Sequence, residues 1–162
     1  MAVFLLQNLD TREHIGFLAW VFTQISEAGI SVDLVATSET TTTIALNRTS
    51  NQLDEGALEQ LAESLRERCT VTVHPHCSGI NLVGRGARLA LADIDTKSGF
   101  FAEHPLLMLS QSANDLCISI LLYSRDAEEL LKILHQALIG KNLVAQRASG
   151  IFGPSWQEIQ QL

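Results

Sequence analysis

The chain alternates short apolar runs with amphipathic stretches, in an order that repeats. "VFLLQNL" (Val3 to Leu9) is an apolar run ending in polar residues, which predicts a strand. In "HIGFLAWVFTQISEAG", Phe17, Leu18, Val21, Phe22 and Ile25 recur at helical spacing and predict one apolar stripe, with Gly29 as the C-terminal stop. "ISVDLVATSE" (Ile30 to Glu39) reads as a strand, and "TTTIALN" after Thr40 as another, rich in β-branched residues. "SNQLDEGALEQLAESLRERC" predicts a helix with Leu58, Leu61 and Leu65 on one side, and "TVTVH" alternates as a half-buried strand does.

Strand, helix, strand, strand, helix, strand is the split βαβ, or ferredoxin-like, unit. It predicts a four-stranded antiparallel sheet with two helices on one face and the other face open. The order then begins again. "GINLVG" is a strand, "ARLALADIDTKSGFFAEH" is weakly helical around Gly99, and "PLLMLSQS" and "LCISILLYS" are strands. "DAEELLKILHQALIG" is a helix with Leu130, Leu131, Leu134 and Leu138 inward, Asp126 at its start and Gly140 past its end. The expected class is α+β: two ferredoxin-like βαββαβ units, residues 1–76 and 77–146, followed by a linker or tail, 147–162. The last strand of the second unit would come from "KNLVAQ" or from elsewhere.

Within "ISVDLVATSE", Asp33, Val35, Thr37 and Glu39 share one face, and Val32, Leu34 and Ala36 the other. The apolar set suits a core, so the carboxylates opposite need another purpose.

Composition narrows that purpose. Hydrophobic residues make up 46% and charged residues 18%, enough for a real core. A net charge of −7 argues against a nucleic-acid surface. No apolar run approaches the ~20 residues of a membrane span, and "MAVFLLQNL" lacks the basic start of a signal peptide. Cys69, Cys77 and Cys117 are widely spaced and do not form a disulfide framework, so a reduced, cytoplasmic setting is expected.

"GFLAWVF", "ISVDLVATSE" and "TTTIALN" together resemble the regulatory ACT domains at the C-terminus of aspartate kinases, nearest the lysine-sensitive type. "LVGRGAR" and "LMLSQSANDL" resemble the second ACT domain of that family, in particular of bifunctional proteins joining aspartate kinase to diaminopimelate decarboxylase, where a tail like "IFGPSW" leads toward the decarboxylase. The resemblance spans roughly residues 3 to 154. It implies a regulatory region with no chemistry of its own, no cofactor and no metal. No Lys-Phe-Gly-Gly stretch of a kinase domain is present, and Lys97, Lys132 and Lys141 have no active-site context.

The resemblance also implies an effector site. The start of the first helix offers backbone N–H groups and a positive dipole end to a carboxylate, around Gly16, Phe17 and Leu18. Asp33 matches the family's ammonium-binding aspartate, with Ser31 and Val32 beside it, and Ser38 and Glu39 match further ligand contacts. L-lysine is the expected effector. Asp33 and Glu39 are six residues apart, about 20 Å on a straight strand, which one lysine cannot bridge. Either the strand bends near Ala36 and Thr37, or the ligand lies at a two-fold interface with Asp33 from one copy and Glu39 from another; the interface is preferred. "TREHI" (Thr11 to Ile15) departs from the lysine-sensitive pattern; Glu13 and His14 could add a carboxylate and a donor, and L-threonine stays open as effector.

Blander readings exist. Asp33 and Glu39 suit solvated surface, and Ser31 and Ser38 suit local backbone bonds. The pair of units would then be a dimerisation module that binds no ligand. "HPHC" (His74 to Cys77) has the spacing of metal ligands but no partner pair, so metal chemistry ranks last. "SQSANDL" (Ser110 to Leu116) reads as a polar hairpin, Cys117 as a small buried hydrophobe, and Trp20, off the apolar stripe, as an exposed partner contact.

Overall fold

The computed structural model describes residues 1–8, 15–114 and 116–140. The first seven elements run β1 (Ala2–Gln7), α1 (Phe17–Glu27), β2 (Leu34–Thr37), β3 (Thr41–Leu46), α2 (Glu55–Arg66), β4 (Thr70–His74) and β5 (Cys77–Val83). Then follow α3 (Ala87–Ser98), α4 (Phe100–Glu103), β6 (Leu106–Gln111), β7 (Cys117–Tyr123) and α5 (Ser124–His135), closed by a π-helical turn, Gln136–Gly140. The class is α+β with two antiparallel sheets, ordered β2-β3-β1-β4 and β5-β7-β6. The second sheet has three strands among the described residues, and "KNLVAQ" and residues 147–162 lie outside them.

Alternation along the central strands builds the cores. Ala2, Phe4 and Leu6 of β1 face α1 and α2, meeting Phe17, Val21, Ile25, Leu58, Leu61 and Leu65. Ile118, Ile120 and Leu122 of β7 face α3 and α5 in the same way. Burying each of these Val, Leu, Ile and Phe side chains contributes roughly 1.5–3 kcal/mol. Asp54 starts α2, its carboxylate accepting from the Ala57 N–H at 2.7 Å. Gly99, at φ 67°, ends α3 and turns the chain into α4, a conformation costly for any residue with a Cβ.

The open face expected of the first sheet is partly covered. Val3 and Ala45, with Leu34 and Ala36 of β2, pack against Leu107, Met108 and Leu121 of the second sheet around buried Cys77. Among the described residues each sheet has helices on one face, and the opposite faces pack on one another. One further pair of bonds joins the sheets: Met1, just before β1, and Cys77 of β5 exchange backbone bonds of 2.7 and 3.0 Å.

Two helical stripes are narrower than their spacing implied. Leu18 and Phe22 of α1 are exposed, and so is Leu131 of α5, because each helix touches its sheet along one seam while the flank stays wet. Trp20 departs the other way. It is half-buried against the first core, 6.1 Å from the Phe17 ring, with the Arg68 guanidinium 5.2 Å above it. Cys117 is half-buried rather than buried. No helix among the described residues is long and apolar enough to cross a membrane.

Candidate functional site

The hairpin β2–β3 and the start of α1 enclose a cavity of about 140 Å³. Thr37 pairs with Thr42, and the Ser38 N–H donates to the Thr41 carbonyl at 2.7 Å, leaving Glu39 and Thr40 at the tip. The Asn8 N–H donates to the Thr40 carbonyl at 3.0 Å, tying the tip to the end of β1. Gly16, at φ 79°, precedes α1 and accepts its first bond, from the Trp20 N–H at 2.9 Å. By helix geometry the N–H groups of Phe17 and Leu18 have no partner within the helix, and they carry the positive end of its dipole.

Phe17, Leu18, Ser38 and Glu39 therefore meet in one cavity, with Gly16 next to it in the chain. Asn8, Thr37, Thr40, Thr41 and Thr42 line it too, and sequence reasoning missed these. The threonine run from 40 to 43 was legible only as β-propensity. Its second use appears once the hairpin folds back beside β1.

Ser31, Val32 and Asp33 lie elsewhere. The strand is shorter than its sequence pattern, running Leu34–Thr37, and the Ile30 N–H before it donates back to the Ile25 carbonyl of α1 at 3.1 Å. The Ser31 N–H donates to Asn51 Oδ1 at 2.7 Å, and Asn51 Nδ2 donates to the Ser31 carbonyl at 3.0 Å. Val32 packs on the helix-side core, whereas Leu34 and Ala36 face the second sheet. Asp33 donates its N–H to the Ala45 carbonyl at 3.0 Å and is exposed, at the end of β2 away from the cavity. Within one chain, Asp33 and Glu39 do not share the cavity.

The cavity's groups suit binding rather than covalent chemistry. Helix N–H groups and threonine hydroxyls can hold a carboxylate, and Glu39 can hold a cation. No Cys, His or Lys is among the described residues lining it. Glu13 and His14 lie outside the described residues, while Ile15 is exposed. Exposed Leu18, Phe22 and Val35 add apolar surface on α1 and on β2, the edge strand of its sheet.

The "HPHC" residues diverge. His74 Nδ1 lies 3.3 Å from the Tyr123 hydroxyl, and Cys77 turns into the layer between the sheets, where burial pushes its thiol pKa up. Among the described residues, no group of three or more His, Cys, Asp or Glu side chains is placed to hold a metal ion. In "SQSANDL", the Asn114 carboxamide accepts from the Ser112 hydroxyl at 2.7 Å and from the Leu116 N–H at 3.2 Å, closing a hairpin; Asp115 lies outside the described residues.

Two antiparallel sheets with helices on their outer faces have the fold of a pair of ACT-type units. The chain is a homologue of the aspartate kinases over part of their length. It is 31% identical over 142 residues to aspartate kinase FUB3 of Gibberella fujikuroi, covering 86% of this chain and 27% of that enzyme. The chain thus spans about a quarter of the length of the curated relatives it matches. It superposes on E. coli aspartokinase III in complex with lysine and aspartate with a TM-score of 0.65 and 25% identity, covering 85% of this chain and 31% of that one. A putative C-terminal regulatory domain of aspartate kinase from Porphyromonas gingivalis shares the fold, with a TM-score of 0.69 at 20% identity over 85% of this chain and 91% of that chain. No family model matches the chain.

Proposed function

We propose that this chain is the amino-acid-sensing region of an aspartate kinase, with L-lysine as effector and feedback inhibition of the attached kinase domain as its output. The observation that supports this reading is the cavity at the start of α1, lined by Phe17 and Leu18 from the helix and by Glu39 from the hairpin. An α-amino acid with a cationic side chain needs both a helix start and a carboxylate. Its carboxylate seats on the N–H groups. Its side-chain ammonium, partly dried by the walls, needs an opposite charge.

Its α-ammonium needs a second acceptor, and Asp33 of the same chain lies outside the cavity. Asp33 of a second copy fills that place when two chains meet at the exposed edge formed by Leu18, Phe22 and Val35. Lysine then favours the paired arrangement only by its differential affinity for it. The alternative, a dimerisation module without ligand, draws on the same exposed edge and on the solvent exposure of Asp33.

Thermal melts of the purified chain with each of the protein amino acids test the reading. L-lysine at a hundred times its Kd should raise Tm by about 5–10 °C. A folded chain whose Tm no amino acid moves would favour the dimerisation module. A shift with L-threonine alone would keep the sensor and change its effector.

A further inference from the structure

β6 carries an extra residue. Leu106 pairs with Leu122 and Met108 with Leu121, so Leu107 has no opposite number on β7. In a regular strand, residues 107 and 108 would face opposite sides of the sheet. The bulge turns both toward the first unit, where Leu107 and Met108 join one apolar cluster with Leu34 and Ala36 of β2. Met108 is 4% exposed there.

β2 is a four-residue edge strand, paired among the described residues with β3 alone. Its last residue, Thr37, and the following Ser38 line the cavity, while Leu34 and Ala36 rest on the second unit. A strand this short moves as a piece, so a shift at Thr37 reaches Ala36 and Leu34 directly. The packed layer beneath does not deform smoothly; it repacks between discrete arrangements.

We infer that β2 is a relay and that the β6 bulge is its seat: occupancy of the cavity is read by the second unit through Leu34 and Ala36 pressing on Leu107 and Met108. Leu107 and Met108 are positioning residues in this scheme, since neither lines the cavity. The effector arm rests on the sensor reading above, whereas the link between β2 and β6 stands without any ligand.

Hydrogen exchange of the whole chain, read by mass spectrometry, tests it. The variants are Met108→Ala, the milder Leu107→Ala at a half-buried position, and Leu109→Ala as control, on the same strand but exposed. Without ligand, Met108→Ala and Leu107→Ala should speed exchange several-fold in β2 and leave β4, the opposite edge of that sheet, near wild type. Leu109→Ala should change neither. By linkage, the first two variants should also alter lysine affinity by about two- to thirty-fold, though neither residue lines the cavity. Wild-type exchange rates in β2 of a folded Leu107→Ala chain would overturn the relay. Lysine that slows no exchange anywhere would overturn the sensor reading instead, and the ligand-free arm would still decide the relay.

Discussion

The Tyr123 hydroxyl on β7 lies 3.3 Å from Nδ1 of His74 on β4, with the two rings edge to face at 5.4 Å. Each residue ends the last strand described in its sheet, so the contact backs the short joint, Pro75 and His76, between the units. Tyr123→Phe keeps the ring and removes the hydrogen bond, and should cost about 0.5–1.5 kcal/mol in urea unfolding. Tyr123→Ala also removes the ring packing and should cost about 2–3 kcal/mol. Equal losses would mean that the ring contributes nothing to the joint.

The layer between the sheets makes a second prediction. Leu121 is fully buried there, so Leu121→Ala should destabilise by about 2–5 kcal/mol. Leu131→Ala, on the exposed flank of α5, should stay within about 0.5 kcal/mol of wild type. If the sheets do not pack through these faces in solution, the two variants will melt alike.

The thiol of Cys77 offers a chemical probe of the same layer. Burial pushes its pKa up, because the thiolate would sit among apolar side chains. A raised folded-state value favours the protonated, folded form. That contribution is complete below the unfolded thiol's pKa and is lost as pH rises through the folded value. Iodoacetamide should therefore modify Cys77 more slowly than half-buried Cys117 in the folded chain, and at a similar rate in urea. Similar rates in the folded chain would place Cys77 at the surface.

Glu39, at the hairpin tip, separates binding from stability. It is exposed, so Glu39→Gln should change folding stability by less than about 0.5 kcal/mol. The same change should weaken lysine at least tenfold, at roughly 1.4 kcal/mol per factor of ten. L-norleucine, which lacks the side-chain ammonium, should bind wild type and Glu39→Gln equally poorly. Unchanged lysine affinity in Glu39→Gln would remove this carboxylate from the site.

Much of the fold was legible because its signals are local. Phe17, Val21 and Ile25 at helical spacing, Leu58, Leu61 and Leu65 on the next helix, and strict alternation in "TVTVH" each name an element without knowledge of the rest. What escaped depends on distant chain. Leu34 and Ala36 were legible as apolar, yet nothing nearby says that they face a second sheet rather than helices. The bulge at Leu107 leaves no mark in "PLLMLSQS", since an extra residue in an apolar run looks like more strand. The site divides likewise. Phe17, Leu18, Ser38 and Glu39 converge through a helix start and a hairpin that the sequence marks, while Asn8 and Thr40 to Thr42 arrive only by folding back.

The most direct test of the central claim is calorimetric titration of L-lysine into a mixture of Asp33→Ala and Glu39→Gln chains, beside wild type and each variant alone. If one copy supplies Glu39 and the other Asp33, each variant alone binds weakly or not at all. Random pairing in an equal mixture then restores about a quarter of the sites, because each mixed dimer keeps one intact pair. Strong binding by wild type with no recovery in the mixture would contradict a site shared between copies, and the absence of binding by wild type itself would contradict the sensor.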